Sequence, residues 1–208
     1  MIYVDLDNTL LDAVKRLENE KEIARRHGID DDLFEKAANL THETHGISNW
    51  SYTVFFESCR ILKPCLEETM LHEWQKVIER SGIFPDTIAF LNQFPKENLT
   101  LVTTGNHEYQ RTKIRTDNLE AYFSEILIVP SPKCHHVTPV YPAVYVDDSP
   151  REIDAMKLLH PEIFCILVRE PAPWEKQKIS LHADVYCPDL TMVRSVITWM
   201  RPNILTAS

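Results

Sequence analysis

Four short apolar runs, each closed by polar groups, constrain this chain more than any other feature. Ile2-Tyr3-Val4 runs into Asp5, Leu99-Thr100-Leu101-Val102 into Thr103, Ile126-Leu127-Ile128-Val129 into the turn residues 130–133, and Ala143-Val144-Tyr145-Val146 into Asp147. Rich in β-branched and aliphatic residues and no longer than a strand, they read as strands. Two more such stretches follow, Ile163 to Val168 and Ala183 to Cys187. Helical patterns separate them: Ile88, Leu91 and Phe94 after a Pro85-Asp86 start, a polar stretch from His107 to Leu119, a segment with Glu152, Ile153, Met156 and Leu159, and a last one with Met192, Val196 and Trp199. Strands alternating with helices predict a mainly parallel sheet covered on both faces. One connection departs from the pattern. Only ten residues separate Lys133 from Val144, with Pro139 and Pro142 among them, so the third crossover is expected to be irregular.

Between the first and second strands the chain reads as helix after helix. Val14, Leu17 and Ala24 share one face before Gly28, and Asp30-Asp31-Asp32 offers caps for a helix carrying Leu33, Ala37 and Leu40. Tyr52, Phe55, Phe56 and Cys59 follow the spacing of a buried stripe, and Leu66, Met70, Trp74, Val77 and Ile78 form another that ends near Gly82. Gly28 and Gly82 are both placed as helix caps. The expected organisation is a core of residues 1–14 and 83–208, with a helical subdomain of residues 15–82 inserted.

The formal charge of −9 and the lack of any basic run exclude the electrostatic footprint of a nucleic-acid binder. Apolar runs fall well short of the roughly 20 residues of a membrane-spanning helix. The five cysteines are odd in number and widely spaced, which suits reduced thiols. With a strand at its start and no basic, apolar leader, the chain is expected in the cytoplasm. His42 and His45 lie close enough to share a metal, but no neighbouring ligand pattern completes a site there.

In an open parallel sheet, ligands bind at the carboxyl ends of the strands, and each strand here delivers polar groups to that end. Asp5 and Asp7 share a side if the chain stays extended, and two carboxylates brought together call for a cation or a shared proton. Alone, the pair could equally be an acidic turn after an edge strand. Asp147 and Asp148 add two more carboxylates, and such a cluster can hold Mg2+, which takes oxygen ligands and keeps a place for phosphate oxygens. The Thr103 hydroxyl, the amides of Thr104 and Gly105 at a helix start, and the Lys133 ammonium suit a phosphoryl dianion. Lys113 is the alternative cation, and His135 and His136 flank Lys133. Together these groups describe a phosphoryl-transfer site.

The constellation resembles the haloacid dehalogenase-like superfamily over nearly the whole chain. Asp5-Leu6-Asp7-Asn8-Thr9 is similar to its first motif, Thr103 to its second, Lys133 to its third, and Val146-Asp147-Asp148 with Glu152 to its acidic fourth. The resemblance implies a three-layer α/β/α Rossmann-like core with a small all-α cap formed by the inserted helices. It implies a Mg2+-dependent phosphatase acting on a small phosphomonoester, with no nucleic acid or membrane as partner. Asp5 would be the nucleophile and a metal ligand, and Asp7 the general acid and base, with its backbone carbonyl on the metal. Asp148 would supply the remaining metal carboxylate, supported by Asp147 and Glu152. Thr103, Thr104, Gly105 and Lys133 would grip the phosphoryl group. The superfamily's dehalogenases lack an acid equivalent to Asp7 and need no metal, so Asp7 points to the phosphatase branch. A phosphomutase or phosphotransferase would use the same residues, and a non-catalytic phosphoester-binding protein on a retained hydrolase fold is the alternative from another class.

Overall fold

The computed structural model describes residues 1–46, 49–80, 82–169 and 179–204. They form two compact units, one of Met1–Asp12, Ile83–Thr103 and Glu120–Ser208, the other of Ala13–Gly82 and Thr104–Leu119.

The first unit is built on six strands: β1 (Ile2–Val4), β2 (Leu99–Thr104), β3 (Glu125–Val129), β4 (Val144–Asp147), β5 (Phe164–Val168) and β6 (Val185–Cys187), in the order β3-β2-β1-β4-β5-β6. β1 pairs in parallel with both β2 and β4, setting Ile2 beside Leu99 and Val144, and β4–β5 and β5–β6 are parallel as well. Leu99, Leu101, Val146 and Ile166 are fully enclosed, as continuous apolar runs in a doubly covered sheet should be. On one face Tyr3, Val102, Tyr145, Cys165 and Leu167 pack with Ile153 and Met156 of the helix Pro150–Leu159. The helices Thr87–Leu91 and Leu190–Ile204 pack together, the second also against β5 and β6. Layers of helix, sheet and helix result, the expected Rossmann-like architecture.

Between β3 and β4 the described connection holds only a 3-10 turn, Lys133–His135. Side chains fasten it where a crossover helix would otherwise pack. The Tyr3 hydroxyl donates to the Thr138 carbonyl at 3.3 Å and accepts from the Val140 N–H at 3.0 Å, while the His160 ring meets the Cys134 carbonyl at 3.1 Å.

The second unit contains α1 (Ala13–Arg26), α2 (Asp31–His45), α3 (Tyr52–Leu62), α4 (Thr69–Ile78) and a fifth helix, His107–Thr116. Asp30 caps α2 by accepting from the Leu33 N–H. The expected stripes of α3 and α4 face inward, with Phe55 stacked on Trp74 at 5.1 Å between ring centroids. Thr104–Leu119, which the sequence boundaries assign to the α/β part, groups with these helices because Tyr109 packs edge-on against Trp50 and Tyr52 at 4.8 and 5.3 Å.

One expectation gains buried polar residues, and one needs correction. The buried residues of α1 are Arg16, Glu20, Ile23 and Ala24, whereas Val14 and Leu17 are only partly covered. Glu20 can be buried because the Tyr52 hydroxyl donates to its carboxylate at 2.5 Å and Trp74 Nε1 to its backbone carbonyl at 2.9 Å. Gly28 has the left-handed φ of +75° that favours glycine, but Gly82 does not, and a Cβ there would meet only the end of the Arg16 side chain, at 3.0 Å. All five cysteines are free, and burial raises the thiols of Cys59 and Cys165 to about 12. Among the described residues no helix is long and apolar enough to cross a membrane.

Candidate active site

Strand order brings the acidic residues together. From β1 the chain builds β2 and β3 on one side, then returns to place β4 on the other. That reversal leaves a crevice at the carboxyl ends of β1 and β4. Asp5 follows β1 directly, its N–H donating to the Val146 carbonyl at 2.9 Å, and Asp147 closes β4.

Lys133 bridges them. Its Nζ lies 2.5 Å from Asp5 Oδ1 and 2.7 Å from Asp147 Oδ2, and all three side chains are buried. Asp147 Oδ2 also accepts from the Tyr145 hydroxyl at 2.5 Å, and Oδ1 from the Ser149 N–H at 2.8 Å. Glu152 holds the segment that carries the lysine: it accepts from the Ser131 hydroxyl at 2.5 Å and from the Lys133 N–H at 2.8 Å. Glu152→Ala is therefore expected to leave a buried N–H unpaired and to destabilise the protein by about 1–3 kcal/mol, measured by urea unfolding.

Carboxylate oxygens of Asp5, Asp147 and Asp148 lie within 4.8 Å of one another, all three residues buried. Asp7 is half-buried, and its charge is close enough to raise the Asp5 carboxyl. The loop beyond it is held from several sides: the amides of Leu10 and Leu11 donate to the Leu6 carbonyl, and Arg169 Nε donates to the Thr9 carbonyl at 3.2 Å. The Arg169 guanidinium also lies 3.6 Å from the Phe84 ring centroid and pairs with Asp86 at 2.7 Å.

The other expected groups lie on several elements. Thr103 is buried at the end of β2, one strand over from Asp5. Thr104 and Gly105 open the segment that groups with the helices. Gly105 has φ +133°, and a Cβ there would come within 2.9 Å of the Gln110 amide, so this turn requires glycine. Lys113 is buried with its ammonium 4.9 Å from the Tyr109 ring centroid. His42, His45, His135 and His136 are exposed. Sequence reasoning passed over Tyr145, Ser131 and Arg169. Only Tyr145 had a readable signal, its two-residue spacing from Asp147 on one face of a strand.

Burial raises the Asp5 carboxyl to about 7; Lys133 works against this, and the charges of Asp147 and Asp7 add to it. Burial disfavours the Lys133 ammonium, but Asp147 and Asp5 more than offset it and hold the lysine protonated. The Tyr145 phenol is pushed well up, by burial first and then by Asp147, so it remains a donor. Three buried carboxylates cluster here, and the charges of Asp147 and Asp7 add to the burial that raises the Asp5 carboxyl. A buried cluster of hard oxygen donors fits a divalent cation such as Mg2+. Within the cluster Asp147 is engaged by three donors, Lys133, Tyr145 and Ser149, and Asp5 by Lys133.

No protein-family profile and no curated protein matches the sequence. Solved structures do match in fold. A haloacid dehalogenase-like hydrolase of Burkholderia xenovorans LB400 aligns with a TM-score of 0.74 at 20% identity, covering 96% of this chain and 97% of that one. The L-2-haloacid dehalogenase of Xanthobacter autotrophicus aligns at 0.67 and 13% identity, covering 96% and 98%. The HAD-hydrolase YfnB of Bacillus subtilis, bound to magnesium, aligns at 0.61 and 12%, covering 94% and 97%. At these identities the likeness is one of architecture, and the chain has the fold of the haloacid dehalogenase-like hydrolases.

Proposed function

We propose that this protein is a Mg2+-dependent phosphatase that hydrolyses a small phosphomonoester through an aspartyl-phosphate on Asp5. One observation carries the reading: a buried ammonium, Lys133, bridges Asp5 and Asp147 beside a third buried carboxylate, Asp148, with Asp7 two residues beyond Asp5. A carboxylate cluster of this charge is suited to a cation and, through it, to a phosphoryl dianion. Mg2+ held by Asp5, Asp148 and the Asp7 backbone carbonyl would screen the repulsion between the anionic ester and the aspartates.

The chain's own groups would then act in order. Asp5, one oxygen of which is held by Lys133, attacks phosphorus with the other; the P–O bond to the leaving group breaks, and Asp7 gives that oxygen its proton. Water next loses a proton to Asp7 and attacks the aspartyl-phosphate, releasing inorganic phosphate and restoring the Asp5 carboxylate and the protonated Asp7. Lys133 has a third N–H beyond the two engaged by Asp5 and Asp147, and with the Thr103 hydroxyl and the Thr104 and Gly105 amides it would meet the transferring group. Asp147 and Glu152 support the lysine.

A second reading has a specific basis. An L-2-haloacid dehalogenase shares the fold, and an aspartate held by a lysine also suits displacement of halide from carbon. Asp7 and the cation-binding cluster favour the ester. Purified protein assayed on a panel of phosphomonoesters with Mg2+, and on L-2-chloropropionate with chelator, separates the two. Phosphate release that requires the metal and falls at least about 100-fold in Asp7→Asn is expected. Halide release without metal, and no phosphate release, would replace the phosphatase with a dehalogenase.

A further inference from the structure

Tyr145 and Asp147 project from the same face of β4, about 7 Å apart along the strand. A phenol spans that distance, and the Tyr145 hydroxyl donates to Asp147 Oδ2 at 2.5 Å. The same oxygen takes the Lys133 ammonium at 2.7 Å, and the opposite oxygen takes the Ser149 N–H at 2.8 Å. Both lone pairs of Oδ2 are thus engaged, and the carboxylate is held from two edges.

Tyr3 provides an internal comparison. It is the register partner of Tyr145 on β1 and is buried to 4% exposure, yet its hydroxyl meets the Thr138 carbonyl and the Val140 N–H. A buried phenol needs a partner, and Tyr3 finds one in the connecting loop. Tyr145 instead reaches along its own strand to the carboxylate beneath Lys133. It has no exposed surface, so it meets no substrate and acts through Asp147.

We propose that Tyr145 is a positioning residue, which holds the Asp147 carboxylate in the orientation that keeps Lys133 Nζ against Asp5. Its kinetic consequence rests on the reading of Asp5 as the attacking group; its effect on Lys133 does not. Loss of the hydroxyl frees one edge of Asp147, and Lys133 then samples positions away from Asp5.

The test compares wild type, Tyr145→Phe and Tyr3→Phe as full chains. Proton exchange of the lysine ammonium is followed by nitrogen-detected magnetic resonance at mildly acidic pH, the Lys133 signal being assigned by its loss in Lys133→Met. Exchange of the Lys133 ammonium with water is expected to be about tenfold faster in Tyr145→Phe and within about twofold of wild type in Tyr3→Phe. On p-nitrophenyl phosphate with Mg2+, kcat of Tyr145→Phe is expected to fall by about tenfold with KM within about twofold, and Tyr3→Phe to match wild type. Tyr145→Leu gives the same readout should the phenyl ring not be accommodated. Unchanged Lys133 exchange in Tyr145→Phe, or an equal change in Tyr3→Phe, overturns the proposal, since a purely structural phenol would behave in one of those ways. A wild-type protein without turnover removes the phosphatase reading, and the exchange rates alone then decide the role of Tyr145.

Discussion

Asp5→Asn is expected to abolish turnover, by roughly 10,000-fold or more, while the protein stays folded. The amide matches the carboxylate in shape but cannot attack phosphorus. A second readout follows from the raised carboxyl. Burial puts the folded-state value at about 7 against an ordinary value of 3.8, so the fold favours the protonated form. That contribution to stability is fully present below 3.8 and is lost as pH rises through 7. Metal-free wild type is therefore expected to be less stable at pH 8 than at pH 5, through this group by roughly a few kcal/mol. Lys133, held protonated above its ordinary 10.5, titrates beyond this window and does not contribute to the difference. Urea unfolding in the presence of chelator measures it. Asp5→Asn should flatten the dependence, and Mg2+ should restore wild-type stability at pH 8. A wild type equally stable at both values without metal would contradict the raised Asp5 carboxyl.

Lys133→Met should have the largest effect on stability. The lysine is the cation between two buried carboxylates, at 2.5 Å from one and 2.7 Å from the other. Removing one partner of a buried ion pair leaves uncompensated charge and typically costs about 3–5 kcal/mol, far more than a surface pair is worth. Asp147 would retain Tyr145 and Ser149 as donors, so most of the loss should fall on Asp5. Two outcomes distinguish this from a packing defect. The destabilisation should shrink at pH 5, where protonation removes the stranded charge. It should also shrink in Asp5→Asn/Lys133→Met, where the two substitutions are expected to be strongly non-additive by denaturant unfolding. A loss of the same size at both pH values and in both backgrounds would point to packing.

The legible parts of this protein are those with a local cause. Each strand of the sheet announces itself as an apolar run, and alternation with helices implies a parallel arrangement before any contact is known. The stripe Tyr52, Phe55, Phe56 and Cys59 faces inward because helical spacing leaves it no other option. Gly105 was conspicuous as one of four glycines, and its φ and the nearby Gln110 amide explain it. Where periodicity met polar residues, the reading was incomplete: Arg16 and Glu20 are buried on α1 with Ala24, while Leu17 packs partly covered against the same core. The burial of Glu20 depends on Tyr52 and Trp74, which belong to other helices.

The site divides along the same line. Residue order alone determined that Asp5, Thr103, Lys133 and Asp147 stand at or just beyond the ends of successive strands, since that follows from where each apolar run stops. Only the tertiary structure decided which of them touch. Strand order set β1 beside β4, and Lys133, 128 residues beyond Asp5, entered on a segment that Glu152 holds through the Lys133 N–H and His160 through the Cys134 carbonyl. The engagement of Asp147 by Lys133, Tyr145 and Ser149 is likewise a product of register. A sequence specifies a carboxylate, but its partners, its burial and therefore its charge are set by neighbours that only the folded sheet brings within a few ångströms.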